Sequence, residues 1–241
     1  MLFQALILER RSSHVKLGGV TTRARRSERR TDALSKERIV ETAIEILDAE
    51  GENALTFRAL TTRLATGAGA IYWHVANKNE LLTAAADDVI AAVMAGVVDT
   101  SEPEETIRAI ALGLFDAIDA HPWVGAQLAP EPWTGLLQIF EGVGVQIQAL
   151  GVPPAAQFNS ASALVNYILG VAGQNAANAR VEMGGGDRTA FLAKVADRWT
   201  ERDPVDYPFA HQVAPQLRDH DDREQFLAGI DLILAGIATL R

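Results

Sequence analysis

The 241-residue sequence contains no cysteine, which excludes disulfide bonds and thiolate metal sites. It also lacks a run of about 18 uninterrupted apolar residues, the length that a membrane-spanning helix needs, so we expect no membrane partner. Alternating Val-, Ile- and Thr-rich runs of the kind that form β-sheets are missing as well. These absences favour an all-α protein, and the lack of cysteine fits a cytoplasmic location.

The sequence also lacks the short motifs of common enzyme classes. It has no Gly-x-Ser-x-Gly and no His-Glu-x-x-His, and its carboxylates cannot be distinguished from a solvated acidic face. The glycine triplet at 184–186 is not followed by the Lys-Ser/Thr of a phosphate-binding loop. We therefore expect no enzymatic activity, no catalytic residue, no cofactor and no metal site.

What the sequence has in abundance is apolar residues at helical spacing, which predict helices along most of the chain after residue 34. Ser35, with Glu37 in the first turn, begins the first helix, and Gly51 ends it. Asn77 and Glu80 form a capping box that begins a long fourth helix, reaching about residue 98. Further helices are predicted near residues 104–120, 132–149, 153–180, 188–201 and 222–240, with a short turn around 125–128.

Between the first and the fourth helix, two short helices meet at a tight turn. Leu60 and Leu64 belong to the apolar stripe of the first, which is only about two turns long. After Ala-Thr-Gly at 65–67 the second runs to about His74, and Ile71 and Val75 are most simply interpreted as core. Two short helices braced by a preceding one are typical of a helix-turn-helix, whose second helix enters the major groove of DNA.

Three segments of this head follow a known pattern in order and spacing. They are Leu-Thr-Phe-Arg-Ala-Leu at 55–60, Gly-Ala-Ile-Tyr-Trp-His-Val at 69–75 and Asn-Lys-Asn-Glu-Leu-Leu at 77–82. The pattern resembles the TetR family of transcriptional regulators, and most of all its tetracycline-repressor branch. The resemblance implies a three-helix DNA-binding head at 35–82, preceded by a basic arm at 1–34. A larger helical body at 83–241 would bind a ligand and form a homodimer.

The resemblance places base contacts near the start of the recognition helix, at Ala68, Gly69 and Ala70. None of these residues has a polar side chain, so alanine can touch only a thymine methyl and glycine offers only its backbone. Arg58 matches a position that reaches a base, although an exposed surface arginine is the simpler alternative. We expect specificity to depend on Thr56, Arg58 and the nearby tyrosine, on the basic arm, and on DNA shape.

Other residues of the head match positions that hold the DNA backbone. Tyr72, His74 and Lys78 can each donate a hydrogen bond to a phosphate oxygen. Trp73 has two interpretations, as core between the head helices or as a contact to the sugar-phosphate edge. The expected partner is a double-stranded, pseudo-palindromic DNA operator, because a two-fold dimer presents two recognition helices roughly 34–36 Å apart.

Charge is divided unevenly along the chain. The net charge is −9, yet residues 1–34 hold eight Lys and Arg against three Asp and Glu, and residues 83–241 hold nine against twenty-one. Because phosphate attraction acts within roughly a Debye length of 10 Å, the local basic arm matters more than the total. Arg25 and Arg26 are therefore expected to contact DNA, with a solvated tail as the alternative. The apolar residues 1–8 lack the basic region of a signal peptide.

Amides within otherwise apolar helices suggest a pocket for a small-molecule effector, because buried amides need partners. His121, just before Pro122, is interpreted as a helix cap, so the tetracycline–magnesium ligand of the resembling branch is not carried over. Exposed amides and core aromatics are the alternative explanation. The candidate lining residues are Trp123, Trp133, Phe140, Asn166, Tyr167 and Gln174.

The last predicted helix has a broad apolar face that needs a partner. In the resembling family this helix and the one from Pro153 form a four-helix dimer interface, whereas packing within one chain is the alternative. A repressor released by a small molecule is our main hypothesis. A helix-turn-helix protein whose body serves only for dimerisation or protein contacts is the second. The candidate interface residues are Leu164, Ile168, Val171, Phe226, Ile230, Ile233 and Ile237.

Overall fold

The computed structural model describes residues 34–98, 101–128, 134–182 and 188–241, with side chains up to residue 178 in the third range. Within these ranges it contains eleven α-helices, a short 3-10 helix at Glu52–Ala54 and no β-strand. The prediction of an all-α protein with a helix-turn-helix head and a larger helical body is therefore confirmed.

Three helices form the head, and a fourth connects it to the body. The first three pack around one apolar centre that contains Ile39, Leu60, Ile71 and Leu81, each with at most 1% of its surface exposed. The fourth begins in the head and continues into the body. Their bounds are α1 Lys36–Glu50, α2 Phe57–Arg63, α3 Ala68–Tyr72 and α4 Lys78–Gly96.

The predicted helix caps are confirmed. The Ser35 hydroxyl accepts a hydrogen bond from the Arg38 N–H at 3.3 Å, and Gly51 ends α1 with a φ of 78° that favours glycine. At the start of α4 the Asn77 side chain accepts from the Glu80 N–H at 2.9 Å. The Glu80 carboxylate in turn accepts from the Ala76 N–H at 2.8 Å. Local sequence therefore sets where the head helices begin and end.

Seven helices form the body. The long α8 packs against α5 and α7, and the last helix packs against α5 and α8. Phe115 and Phe226 stack in this core with ring centroids 4.8 Å apart. The bounds are α5 Pro103–Ala120, α6 Val124–Gln127, α7 Thr134–Ala149, α8 Pro154–Glu182, α9 Arg188–Thr200, α10 Pro208–Arg218 and α11 Asp222–Ala238.

One helix, α10, was not predicted from the sequence. Proline stands at its first turn, where the missing N–H costs nothing, but Pro215 lies in its interior and weakens the helical signal. Packing compensates, because Ala214 of α10 and Leu192 and Ala196 of α9 are buried where the two helices meet. The tertiary contact overrides the local cost of the proline.

Candidate DNA interface and effector site

The turn between α2 and α3 holds the two short helices at a fixed angle. Ala65 adopts a φ of 50° in this turn, a left-handed conformation that is uncommon for a residue with a Cβ. Ile71 and Val75 are buried on the inner side of α3, as predicted. The outer side of α3 is therefore free to face a DNA groove.

The start of α3 presents backbone rather than side chains. Gly67 caps the helix without a side-chain hydrogen bond, and Ala68 and Gly69 are exposed. A Cβ added at Gly67 or Gly69 would meet none of the described residues within 4 Å. Packing against these residues therefore does not require glycine, and what the two glycines provide is a surface that another molecule can approach closely.

Two aromatic side chains stand at the end of α3. The Tyr72 ring stacks on Phe57 of α2 with centroids 4.4 Å apart and an interplanar angle of 9°, which fixes its direction. Trp73 is 90% exposed. The interpretation of Trp73 as head core is therefore wrong. Trp73 is two positions from Ile71 and two from Val75, and two positions on a helix correspond to a rotation of about 200°, so its side chain points to the opposite side.

The polar candidates of the head differ in how freely their groups can reach DNA. Arg58 is exposed at the first turn of α2, whereas His74 is half-buried. The Thr56 hydroxyl accepts from the Ala59 N–H at 3.1 Å and so caps α2. Lys78 Nζ donates to the Glu52 carbonyl at 2.7 Å, so this ammonium also joins α4 to the segment after α1. Arg25 and Arg26 lie outside the described residues.

The predicted ligand residues do not line one cavity. The Trp123 ring is 4% exposed at the junction of head and body, and Gln174 is exposed on α8. Tyr167 packs on α11, where burial raises the pKa of its hydroxyl. Asn166 precedes Tyr167, so the two side chains point about 100° apart around the same helix. The described members of this set thus lie on different parts of the body, and Trp133 lies outside the described residues.

Phe140 and Asn166, two of the predicted lining residues, both line an open apolar groove of about 420 Å³ between α7 and α8. Phe140 packs against Phe158 with ring centroids 5.8 Å apart, and Phe158 is 70% exposed. Among the described residues that line the groove none is charged, and the polar groups are a hydroxyl and an amide. Its walls are formed by Leu136, Leu137, Phe140, Phe158, Ser162, Val165 and Asn166.

A carboxylate of α4 holds the first turn of α7, beside this groove. Asp87 Oδ1 accepts from the Gly135 N–H at 2.8 Å. Gly135 lies against α4, since an added Cβ would come within 3.5 Å of Ile90. Because α4 begins in the head and α7 forms one wall of the groove, this bond connects the two regions directly. No local pattern predicts this bond, since the partners are 48 residues apart.

Most of the predicted dimer residues are buried within a single chain. Their apolar side chains belong to the core between α5, α8 and α11, so these side chains are covered within one chain. His121 caps α5, as expected. Val171 and Ile233 are half-buried. The fully buried residues are Leu164, Ile168, Phe226, Ile230 and Ile237.

The exposed sides of α8 and α11 instead carry small and apolar residues. Leu232 is 75% exposed on α11, beside a row of alanines. On α8 the exposed small residues recur every seven positions, which places them along one side of the helix. The exposed residues are Ala163, Gly170 and Ala177 on α8, with Ala228, Leu232 and Ala235 on α11 and Thr239 directly after it.

No helix in the described parts of the chain is long and apolar enough to cross a bilayer. Among these same residues, no cluster of three or more histidine and carboxylate side chains has a geometry suited to a metal ion.

Known proteins share both the head and the whole fold. The family model described as "Bacterial regulatory proteins, tetR family" matches residues 39–85. An HTH-type transcriptional regulator of Saccharopolyspora erythraea is 31% identical over 155 residues, which is 64% of this chain and just under two thirds (66%) of that protein.

Two solved structures extend the comparison. The transcriptional regulator SCO7222, a TetR from Streptomyces coelicolor, is 54% identical and superposes with a TM-score of 0.79, covering 86% of this chain and 99% of that one. BioQ with its natural double-stranded DNA operator is 26% identical, with a TM-score of 0.59, and covers 86% and 99% of the two chains.

Proposed function

Because this chain belongs to the TetR family of DNA-binding transcriptional regulators, we propose that it is a dimeric repressor that a small molecule releases from its operator. The domain boundaries follow: an arm at 1–34, a head at 35–82 and a regulatory body at 83–241. A cytoplasmic location belongs to the same proposal, since the operator must be accessible.

One observation carries the DNA-binding part of this proposal. Arg58, Tyr72 and Trp73 are exposed on the outer side of the helix-turn-helix, and Trp73 is almost fully uncovered. A large apolar ring costs free energy when it is left in water, and singly exposed aromatics beside cationic groups suit a sugar-phosphate surface. BioQ, the similar protein with a DNA operator, supports DNA as the partner.

Sequence readout would then depend on few side chains. Ala68, Gly69 and Ala70 allow the start of α3 to approach the base edges, but they offer no bidentate hydrogen bond. Arg58 is the candidate for a guanine contact, with its guanidinium fork matching O6 and N7. Tyr72, His74 and Lys78 would hold phosphates, and Thr56, whose oxygen caps α2, would donate its O–H to a phosphate oxygen. Arg25 and Arg26 would add electrostatic attraction from the arm.

Dimerisation would use the exposed sides of α8 and α11 rather than their buried apolar faces. Small residues at Ala163, Gly170 and Ala235 permit two helix pairs to approach closely, and Leu232 would supply an apolar anchor. A two-fold axis through these helices would present both heads to one face of a pseudo-palindromic operator.

The groove between α7 and α8 is the candidate effector site. Its volume suits a small organic molecule, and the apolar side chains among its described lining residues suit an uncharged, largely apolar one. Ser162 and Asn166 would provide the orienting hydrogen bonds. A ligand that moves α7 would act on α4 through Asp87 and Gly135, and reciprocity then requires that DNA weakens ligand binding by the same factor.

A second candidate function is a DNA-binding protein whose body only dimerises or contacts proteins. The observation that favours it is the exposure of Gln174 and Asn166, since the sequence predicts both amides in a buried pocket. Binding of a neutral apolar fluorophore to the groove, together with its loss in Phe140→Asp, would favour the effector-responsive repressor. No binding would favour the alternative.

The deciding experiment is a selection of bound sequences from random duplex DNA, made with the full chain and with a chain lacking residues 1–34. Enrichment of one palindromic site by the full chain would support a sequence-specific dimer and give its operator. Weaker enrichment by the truncated chain would assign a role to the arm. If folded, dimeric protein enriches no sequence in either form, the proposed sequence-specific repressor is wrong.

A further inference from the structure

The junction between head and body is incompletely filled by side chains. A cleft of about 590 Å³ separates the end of α1 and the 3-10 helix from the turn between α5 and α6. Close packing fixes the distance between elements only where their side chains touch. The distance between the end of α1 and the turn after α5 therefore depends on the hydrogen bonds that cross this cleft. On the head side it is lined by Leu47, Asp48 and Glu52, and on the body side by Asp119, Pro122 and Trp123.

Two hydrogen bonds cross the cleft, and both end on the same oxygen. Asp48 Oδ1 accepts from the Trp123 Nε1–H at 2.8 Å and lies 2.8 Å from His121 Nδ1. A carboxylate oxygen can only accept, so Nδ1 of His121 carries the proton and donates. The two donor rings pack edge to face, with centroids 6.1 Å apart. The carboxylate thus has two donors in fixed directions.

The Asp48 carboxylate is partly buried beside the Trp123 ring, unlike an ordinary surface charge. About a third of its side chain is exposed, while the Trp123 ring is almost completely buried. A buried indole N–H needs an acceptor, and here the acceptor comes from the head rather than from the body that buries the ring. The Trp123 N–H therefore has this hydrogen-bond acceptor only when the end of α1 is in place.

Two attachments of the head to the body can be described, at separate points. One is α4, a continuous helix that packs on α5 and α7. The other is the last turn of α1 at Asp48. A helix alone allows its attached head to tilt, whereas a second attachment away from the helix axis removes that freedom. In a dimer, a fixed tilt is also a fixed distance between the two recognition helices.

We propose that Asp48 is a positioning residue for operator binding, which fixes the angle between head and body by accepting hydrogen bonds from Trp123 and His121. The operator part of this inference rests on the proposed function. Its effect is on geometry, since Asp48 lies at the body-facing end of α1 and contributes no positive group to DNA. The consequence is selectivity for half-site spacing.

The first test measures the head-to-body distance without DNA. The chain has no cysteine, so Glu41→Cys on α1 and Glu141→Cys on α7 would place two spin labels at exposed sites. Labelled protein is mixed with excess unlabelled protein, so that each measured distance lies within one chain. We expect a narrow distance distribution in the parent protein. Asp48→Ala and Trp123→Phe should both broaden it, and the double variant should broaden it no further.

Two variants serve as controls for this distance measurement. Asp48→Asn keeps a carbonyl oxygen at the same position and should retain a narrow distribution. Glu45→Ala removes a carboxylate from the same helix, but one that pairs with Arg63 at 4.0 Å inside the head. It should leave the distance unchanged. An unbroadened distribution in Asp48→Ala overturns the proposal, whether or not the protein binds DNA.

The second test uses the selected operator with its half-site separation changed by one base pair in either direction. The parent protein should lose about ten-fold in affinity for each altered spacing, and Asp48→Ala should lose less than about three-fold. The slope of log affinity against log salt should stay the same, because no phosphate contact is removed. An equal loss at every spacing would overturn the positioning role. A parent protein that binds no duplex would contradict the proposed operator, and the distance test would still decide on Asp48.

Discussion

Tyr167 of α8 lies so close to Gly229 of α11 that a Cβ at Gly229 would overlap the phenol oxygen and ring. The Tyr167 ring stacks on Phe226 with centroids 5.8 Å apart, and its hydroxyl donates to the Phe226 carbonyl at 3.3 Å. The glycine is therefore required by close approach, since its own backbone is ordinary helix. This contact fixes how α8 and α11 pack in the body.

Gly229→Ala should consequently destabilise the fold. The added methyl group forces the Tyr167 ring out of place, and overpacking of this kind costs about 1–3 kcal/mol. Gly144→Ala in α7 is the matched control, because a Cβ there meets nothing within 4 Å and alanine favours helix by about 1 kcal/mol. Urea unfolding of both variants checks this. A Gly229→Ala protein as stable as the parent would show that the two helices separate at little cost.

The role of Arg58 in readout can be tested against a second arginine of the same helix. Arg58→Ala should cost about 1–3 kcal/mol of binding to the selected operator and relax preference at one base pair of each half-site. Arg63→Ala should do neither, because the Arg63 guanidinium is engaged by Glu50 within the head. Binding to a set of single-base variants of the operator gives the comparison. Equal effects of the two changes would remove Arg58 from the base contacts.

Trp73 and Tyr72 should separate DNA binding from stability. Trp73→Ala removes a ring that is almost fully exposed, so the free energy of unfolding should change by less than about 0.5 kcal/mol while affinity for DNA falls. Tyr72→Ala also removes the stack on Phe57 and should cost about 1 kcal/mol of stability. Thermal unfolding and DNA titration of both variants check this. Unaltered DNA affinity in Trp73→Ala would exclude this ring from the interface.

The sequence predicted the head in detail because its determinants are local. The caps at Ser35, Thr56 and Asn77 each use a partner three residues away, and the tight turn follows from short apolar stripes. Trp73 was left with two interpretations, since neither motif nor spacing tells which side of a helix end faces water. The packing of the head helices shows that the Trp73 ring is exposed to solvent.

The body was harder to predict because its determinants are long-range. The apolar faces of α8 and α11 predict an interface between chains, yet Leu164 and Phe226 are buried within one chain. An apolar stripe indicates burial without naming the partner. Likewise Asp48 and Trp123 are 75 residues apart, and no local pattern links a carboxylate to a distant indole.

The bond between Asp87 and α7 gives a further prediction. Asp87→Ala leaves the Gly135 N–H without its acceptor at the start of a helix, which should cost about 1 kcal/mol of stability. Asp88→Ala, an exposed neighbour on α4, should cost less than about 0.5 kcal/mol. Urea unfolding midpoints measure both. If Asp87→Ala matches Asp88→Ala, water replaces the carboxylate and the bond cannot couple α7 to α4.

The revised dimer surface predicts which substitutions separate the subunits. Leu232→Glu places a charge on the exposed side of α11, where dimerisation would bury it, so the dimer should weaken by at least ten-fold in dissociation constant while each chain stays folded. Val98→Glu, at an equally exposed position after α4, should leave dimerisation unchanged. Analytical ultracentrifugation over a range of concentrations, with circular dichroism to confirm folding, makes the comparison. A Leu232→Glu protein that remains as dimeric as Val98→Glu would place the interface on another surface of the body.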